Sequence, residues 1–344
     1  MKLSFSTKGW HNSTFDEFCD IAKDLKFKGI ELHNIHNRLF TDKDGAFHDY
    51  TAAATVRKLY ELKLTLPCID TICDPADVSK REESLEEIKA CIEIAKNLKI
   101  PYVRIRACGN ENADEKTEIM AEIIGEVLSV AEESNVTLLV ETSGIYCDTA
   151  RLRGLLDRFA CDNLAALWDM YSPYFIIGEE PETTIKNLGA YIKHVHIKDA
   201  TVENGETEFC LIGEGNLPAG EMMAALRSVN YDGFISLEWD PKWCEELDDM
   251  EIIFAQFVNY MKQFNDTSKN ETTLYYNRAR TGKYVWEKDL LIDATFSQVL
   301  DRMVEEFPDQ YAFKYTTLDY TRTYSEFRDD VDTFARSLIA MGVK

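Results

Sequence analysis

The sequence predicts an α/β protein built on a closed (β/α)8 barrel. Eight strand-like segments alternate with helix-like segments from the first residues to about Phe264, as expected of parallel strands joined by helices. Polar or charged residues close several of these strands, which is where such barrels carry their working residues. The alternative, an open doubly wound sheet, would need a glycine-rich phosphate loop after the first strand. The segment Ser6-Thr7-Lys8-Gly9-Trp10 offers one glycine there.

The eight predicted strands are short. In order they are residues 3–7, 29–33, 65–70, 102–108, 137–142, 165–169, 192–198 and 234–239. Amphipathic segments separate them. In the one that begins at Ser84, apolar residues recur at helical spacing, and Ser84 with Glu87 predicts a capping box at its start.

The chain is longer than one barrel requires. A (β/α)8 barrel takes roughly 250 residues, and the chain has 344. We assign residues 1–264 to the barrel, 265–291 to a polar linker and 292–344 to a short α-rich segment. Helical periodicity returns at residues 295–307 and 324–341, on either side of Tyr311-Ala-Phe-Lys-Tyr and a turn near Asp319.

Composition excludes several classes of function. The net charge is −23, from 61 acidic and 38 basic residues, which disfavours nucleic acid because phosphate backbones are bound through Lys and Arg. The sequence contains no apolar run of 18 or more residues and no apolar core of a signal peptide near Met1, so we expect no membrane segment and a cytoplasmic protein. The nine cysteines are scattered without a Cys-x-x-Cys pair and are expected to be reduced thiols.

Four side chains at strand ends predict a divalent-metal site. Glu141, Asp169, His196 and Glu238 each lie at the end of a different strand, above apolar or small residues of the same face. Three carboxylates and one imidazole favour Mn²⁺, with Mg²⁺, Co²⁺ or Zn²⁺ as alternatives. Any one of them alone could be a helix cap or a core histidine. His194 lies two residues from His196, about 6.6 Å along a strand, so both cannot readily bind one ion.

Candidate substrate-binding residues surround these ligands. Arg104 and Arg106 share the inward face of the fourth strand, where a charge is costly unless it is paired. One interpretation pairs them with Glu31 or Glu141 in a buried network, and the other assigns them to a substrate carboxylate or phosphate. Lys198 is a candidate for holding a substrate oxygen or assisting proton transfer. His33 is a further candidate for substrate contact.

The first 264 residues resemble the xylose isomerase-like TIM-barrel superfamily of sugar phosphate isomerases and epimerases. The resemblance rests on Gly29-Ile-Glu-Leu, Val103-Arg-Ile-Arg, Leu139-Val-Glu-Thr, His194-Val-His-Ile-Lys-Asp and Tyr231-Asp-Gly-Phe-Ile-Ser-Leu-Glu-Trp. It implies one divalent ion on Glu141, Asp169, His196 and Glu238. It also implies that Glu141 and Glu238 exchange a proton with a small polyhydroxylated carbonyl or keto-acid substrate, through a metal-stabilised enediolate. Ser143 and Ser172 stand where many members have histidine.

The last segment, from about Ile292, resembles the opening of an AMP-forming acyl-CoA synthetase. Phe307-Pro-Asp-Gln-Tyr-Ala, Thr323-Tyr-Ser-Glu-Phe, Phe334-Ala-Arg-Ser-Leu and Gly342-Val-Lys carry this resemblance. It implies a truncated fusion product, and we expect no ATP chemistry from the segment as it stands.

Two alternatives to a metal-dependent isomerase or epimerase stay open. A dehydratase of a keto-polyol or keto-acid, as in inosose dehydratases, would use the same ion and base but expel a hydroxyl group. A non-catalytic barrel would act as a sensing or docking module for the fused synthetase. The sequence also allows a homo-oligomer.

Overall fold

The computed structural model describes residues 1–203, 206–265, 295–315 and 320–343. Eight parallel strands close into a barrel, which confirms the predicted fold class. The sixth and seventh strands pair from Ala166 with Ile192 to Asp169 with His196. Around the barrel the strands are β1 (Lys2–Ser6), β10 (Phe234–Leu237), β7 (Ile192–Ile197), β6 (Leu164–Asp169), β5 (Thr137–Glu141), β4 (Tyr102–Ile105), β3 (Cys68–Asp70) and β2 (Gly29–His33), with β2 returning to β1.

Amphipathic helices cover the outside of the barrel. α1 begins after a capping box in which Thr14 and Glu17 bind each other's backbone N–H groups. The capping box predicted at Ser84 and Glu87 is wrong, because α4 begins at Arg81 and both residues are buried within it. The helices are α1 (Phe15–Asp24), α2 (Arg38–Thr41), α3 (Ala52–Leu62), α4 (Arg81–Leu98), α5 (Ala113–Glu133), α6 (Thr149–Phe159), α7 (Tyr171–Ile177), α8 (Pro181–Leu188), α9 (Ala219–Ser228) and α10 (Met250–Asn265).

The strands that differ most from the prediction are β3 and β4, which are each three residues shorter. β3 begins at Cys68, because Pro67 has no N–H group to donate to a neighbouring strand. β4 ends at Ile105, so Arg106 and Cys108 lie beyond the sheet. The earlier end of β4 places Arg106 and Cys108 at the carboxyl-terminal mouth of the barrel.

Side chains alternate between the barrel interior and the helix layer, as strand geometry requires. Leu139, Ala165 and Leu167 form a separate small cluster with Tyr102 inside the barrel. Two residues beyond Leu139 and Leu167, on the same faces, stand Glu141 and Asp169, which are also buried. The interior therefore has an apolar layer with a charged layer between it and the mouth.

A hairpin that the sequence did not predict follows β7. It consists of β8 (Asp199–Glu203) and β9 (Glu206–Cys210), paired antiparallel. The Asp199 carboxylate accepts hydrogen bonds of 2.8–3.1 Å from the backbone N–H groups of Ala200, Gly213, Gly215 and Leu217. This carboxylate therefore holds the hairpin and the turn after it to the end of β7.

The carboxyl-terminal segment contains both predicted helices, α11 (Phe296–Glu306) and α12 (Tyr324–Ala340). Between them β11 (Tyr311–Tyr315) pairs antiparallel with β12 (Tyr320–Thr323). Capping boxes at Thr295 and Thr323 start the helices. The predicted linker beyond Asn265 and the turn near Asp319 lie outside the described residues, so the boundaries of 1–264, 265–291 and 292–344 stay predictions. None of the helices in the described ranges combines the length and apolar character needed to cross a bilayer.

Candidate active site

The predicted metal ligands meet at the carboxyl-terminal mouth of the barrel. Glu141 and Asp169 are the last residues of β5 and β6, His196 is the last but one of β7, and Glu238 follows β10 directly. All four are buried. Parallel strands of a closed barrel end at one rim, which brings together residues far apart in the sequence.

Three of the four form a compact donor group. One ligand atom each of Glu141, His196 and Glu238 lies within 4.8 Å of the others. Nδ1 of His196 is 3.4 Å from Oε1 of Glu141 and is buried without a hydrogen-bond partner. A buried ring nitrogen without a partner, facing two carboxylates, is an arrangement that a divalent cation would complete.

Glu31 orients the His196 ring. Its Oε1 lies 2.6 Å from Nε2 of His196, and its Oε2 lies 2.6 Å from Nε2 of His194. We place one His196 proton on Nε2 at this short contact. Nδ1 is then the nitrogen that would bind a metal, which would displace the proton that a charged ring holds there. A carboxylate behind a histidine ligand is the usual support of protein metal sites. Burial opposes the charged imidazole, but Glu31 outweighs it and raises the pKa of His196 well above its usual value.

Asp169 lies outside the compact group and is bound by a lysine. Nζ of Lys198 is 2.9 Å from Oδ1 of Asp169 and 2.6 Å from Oε2 of Glu238, and Ser172 donates a hydrogen bond to Oδ2 of Asp169. Burial lowers the pKa of Lys198, yet Asp169 and Glu238 more than compensate and raise it. Lys198 is therefore an ammonium ion that joins two of the predicted ligands.

A second lysine, Lys8, forms an ion pair with Glu238. Nζ of Lys8 lies 2.7 Å from Oε1 of Glu238. Burial would raise the pKa of Glu238, but Lys198 and Lys8 hold it well below its usual range. Burial would likewise raise the pKa of Glu141, and Arg104 with His196 keeps it low. Both predicted proton-transfer residues are therefore carboxylates at neutral pH.

Arg104 belongs to a buried ion-pair network. Its Nε lies 3.2 Å from Oδ1 of Asp70, without hydrogen-bond geometry, and its Nη1 lies 3.5 Å from Oε2 of Glu141. Of the two pairings considered from the sequence, the one with Glu141 is formed, while Glu31 binds the two histidines instead. Ser143 also donates to Oε2 of Glu141, at 3.1 Å. These contacts fix Glu141 at the rim.

His33 and Arg106 lie at the mouth beyond this network. His33 ends β2, is half-buried and forms no ion pair with the residues that the structure describes. Burial, followed by the charges of Arg104 and Lys8, lowers the pKa of His33 to about 3, so its imidazole is neutral at physiological pH. Arg106 makes no hydrogen bond or ion pair with the parts of the chain that the structure describes.

Sequence reasoning missed several residues of the site. Asp70 closes the third strand as Glu141 closes the fifth, so the same signal was available for it. Lys8 gave no local signal, because its partner Glu238 is 230 residues away. An aromatic wall was also missed: Phe209 of the unpredicted hairpin stacks on Trp243 with ring centroids 4.4 Å apart and lies 5.3 Å from Tyr171.

Comparisons with known proteins agree with the fold. The profile of the xylose isomerase-like TIM barrel family matches residues 19–254. A curated fructoselysine 3-epimerase of Shigella flexneri is 24% identical over 253 residues, which cover 69% of this chain and 90% of that protein.

Solved structures superpose on the barrel. The probable 3-DHS dehydratase AsbF of Bacillus anthracis gives a TM-score of 0.62 at 19% identity, covering 76% of this chain and 99% of its own. The IolI protein with a bound zinc atom gives 0.63 at 17% identity, covering 77% of this chain and 99% of its own. At these identities the structures show a shared fold.

Proposed function

The chain belongs to the xylose isomerase-like TIM barrel family, and from this membership we propose that it is a divalent-metal-dependent epimerase or isomerase of a small polyhydroxylated carbonyl compound. The curated relative is named a 3-epimerase, which favours proton transfer at a carbon next to a carbonyl group. The observation that carries the proposal is the unpartnered Nδ1 of His196, facing Glu141 and near Glu238.

We propose Glu141, His196 and Glu238 as ligands, with Asp169 as the fourth. A divalent ion held by them would neutralise the negative charge that develops on substrate oxygens during proton transfer. Mn²⁺ suits this set of carboxylates and one imidazole, and Zn²⁺, Mg²⁺ and Co²⁺ are the alternatives. Because Lys198 binds Asp169 and Glu238, the ammonium and a divalent ion compete for the same oxygens.

Glu141 and Glu238 are the proposed proton-transfer pair. They stand three strands apart in the order β5, β6, β7, β10, so they face a substrate in the mouth from two sides. One carboxylate would remove the proton, and the other would pass a proton from solvent to the opposite face. The first would then release its proton to solvent, so that both end as carboxylates. Arg104 and Ser143 hold Glu141, whereas Lys8 and Lys198 hold Glu238. Positioned general bases contribute about 10²- to 10⁴-fold in rate.

The aromatic wall supplies a boundary to the site. Lys8 Nζ lies 4.9 Å from the ring centroid of Trp243, and Lys198 Nζ lies 5.6 Å from that of Tyr171. These rings reduce the access of water to the lysines, which strengthens the electrostatic effect of both ammonium groups on Glu238. Tyr171, Phe209 and Trp243 would pack against the carbon skeleton of a bound sugar.

Deuterium exchange tests the proposed function. The purified chain, loaded with Mn²⁺, is incubated in D₂O with ketoses, inososes and 2-keto acids, and the products are followed by NMR and mass spectrometry. We expect deuterium at the carbon next to the carbonyl group without another change in mass, and no exchange with EDTA or in Glu141→Gln and Glu238→Gln. Glu86→Gln, which changes an exposed glutamate of α4, is the matched control.

Other outcomes select other functions. A product lighter by one water would establish the dehydratase alternative. If the protein binds no divalent ion above background, and Glu141→Gln leaves the melting temperature in Mn²⁺ unchanged, the barrel is a sensing or docking module and the catalytic proposal is wrong.

We further propose that residues 292–344 correspond to the opening of an AMP-forming synthetase domain. Support comes from the motifs at Phe307 and Thr323, since Thr323 caps α12 through a capping box with Glu326. The family profile ends at residue 254, so this segment lies outside the barrel family. Expression of residues 1–265 alone, followed by the exchange assay, would show whether the barrel works without it.

A further inference from the structure

Arg106 is a cation at the barrel mouth that the protein leaves without a partner. It directly follows Ile105, the last residue of β4, and its side chain is half-buried. Nε of Arg106 is fully buried and has no hydrogen-bond partner. Within the described ranges, its guanidinium also makes no ion pair. A buried guanidinium nitrogen without an acceptor is unfavourable for folding alone, which calls for another explanation.

Arg104 provides the comparison within the same strand. It lies two residues earlier and is paired with both Asp70 and Glu141. Within the described residues, the protein therefore forms two ion pairs with one arginine and none with the next. The difference is not a shortage of acidic residues, because the chain has 61 of them and a net charge of −23.

The buried acids near the mouth are all engaged by other groups. Glu31 binds two histidines, Asp70 and Glu141 bind Arg104, and Asp169 and Glu238 bind lysines. Oδ2 of Asp70 has no hydrogen-bond partner, but none of these carboxylates forms an ion pair with Arg106. An oxyanion supplied from outside the protein would complete its hydrogen bonding.

His33 locates Arg106 relative to the proposed reacting carboxylates. The charges of both Arg106 and Glu238 act on the His33 imidazole, together with those of Arg104 and Lys8. Arg106 and Glu238 therefore lie within electrostatic range of the same side chain at the mouth. The neutral His33 ring adds a hydrogen-bonding group there without adding a charge that would compete for an anion.

We propose that Arg106 binds an anionic group of the substrate, a carboxylate or a phosphate monoester, and so selects anionic polyhydroxylated carbonyl compounds over neutral sugars. This inference rests on the proposed function, because it assigns a substrate class to the same mouth. The guanidinium presents a planar set of donors that matches both oxyanions, whereas a neutral hydroxyl offers a weaker acceptor.

Ligand binding tests the proposal independently of turnover. The full chain is titrated calorimetrically with D-fructose, D-fructose 6-phosphate and 5-keto-D-gluconate, once with EDTA and once with Mn²⁺. We expect at least one of the two anionic compounds to bind about tenfold or more tightly than D-fructose, the usual effect of a charged hydrogen bond. This preference should persist with EDTA, because it does not depend on the metal. The comparison of D-fructose 6-phosphate with 5-keto-D-gluconate shows whether the site prefers a phosphate or a carboxylate.

Two variants assign the preference to this residue. Arg106→Gln should reduce the preference to within about threefold, and Arg106→Lys should retain part of it, since lysine keeps the charge but loses the bidentate geometry. Arg57→Gln, on the exposed face of α3, makes the same change in net charge and should leave the preference intact. Arg106→Gln should not lower the melting temperature, since no internal contact of this side chain is lost.

The proposal is overturned if neither anionic compound binds more tightly than D-fructose, or if Arg106→Gln keeps the wild-type preference. An anion preference without deuterium exchange would retain the Arg106 assignment and remove the epimerase proposal. Deuterium exchange with neutral ketoses alone would retain the epimerase proposal and remove the Arg106 assignment.

Discussion

Oε1 of Glu31 lies 2.6 Å from Nε2 of His196, and this contact turns the other ring nitrogen toward Glu141. The second oxygen of Glu31 binds His194 at the same distance. One buried carboxylate therefore positions both histidines of β7, of which one faces the candidate metal site. The side chain that orients the ligand comes from β2, whereas the ligand group itself comes from β5, β7 and the end of β10.

Glu31→Gln should weaken both metal binding and the fold. The amide cannot accept hydrogen bonds from both histidines, and it leaves a buried imidazolium without its counter-charge. We expect a loss of about 3 kcal/mol or more in unfolding free energy and about 10- to 100-fold weaker Mn²⁺ binding. Denaturant titration and calorimetric Mn²⁺ titration measure the two effects. Glu86→Gln, at an exposed site, should change neither, and wild-type Mn²⁺ affinity in Glu31→Gln would contradict the role given to Glu31.

Lys198→Met should make the barrel more dependent on a divalent ion. The substitution leaves Asp169 and Glu238 facing each other without the ammonium, so the metal-free protein should lose about 3 kcal/mol or more. Without its competitor, Mn²⁺ should bind more tightly and raise the melting temperature by a larger interval than in the wild type. Thermal denaturation with EDTA and with increasing Mn²⁺ provides the measurement. A smaller Mn²⁺-induced rise than in the wild type would show that Lys198 assists metal binding.

His33→Gln should flatten the dependence of stability on pH between about 6.5 and 5. In the folded protein the pKa of His33 is about 3, below the value near 6.5 of an unfolded chain. The unfolded state therefore binds more protons in this range, so His33 stabilises the protein above pH 6.5 and loses that contribution as the pH falls. The contribution of His33 to the slope of unfolding free energy against pH approaches about 1.4 kcal/mol per pH unit below pH 6.

Urea titrations of the wild type and of His33→Gln at several pH values measure how the unfolding free energy of each protein changes with pH. Buried carboxylates with lowered pKa values, such as Glu141 and Glu238, act only below about pH 4.5, so they do not obscure the His33 contribution above pH 5. Equal slopes for the wild type and His33→Gln would show that His33 titrates normally.

Gly144→Ala should destabilise the loop that follows β5. Gly144 has φ +57°, and a Cβ atom there would lie 1.9 Å from the carbonyl oxygen of Ala107. The left-handed conformation costs about 1 kcal/mol and the displaced backbone costs about 1–3 kcal/mol more. Gly220→Ala in α9 is the matched control, because a Cβ atom at this site meets nothing within 4 Å. The two melting temperatures give the test, and equal values would contradict it.

The local pattern of the chain was sufficient to predict the barrel. The alternation of strand and helix segments predicted eight strands, and the period of two within strands predicted which residues share the inner face. Glu141 above Leu139 and Asp169 above Leu167 follow from this period. Strand ends were less predictable, because Pro67 delays β3 and β4 stops before Arg106.

The partners of the charged residues could not be predicted in the same way. Glu31 was considered as a partner of arginine, yet it binds histidines 163 and 165 residues away. Lys198 was assigned to substrate, yet it bridges Asp169 and Glu238. Pairings of this kind depend on strand tilt, on the stagger between strands and on competition among several neighbouring charges.

The sequence by itself determined the barrel, its polar rim and the kinds of side chain at that rim, because backbone geometry sets the face on which each residue of a strand stands. The tertiary structure alone decided that Arg104 is engaged while Arg106 is free of internal partners in the described ranges. The physical reason is that closure of the barrel decides which cation lies nearest to each carboxylate. That choice is made across strands, between residues that no local pattern connects.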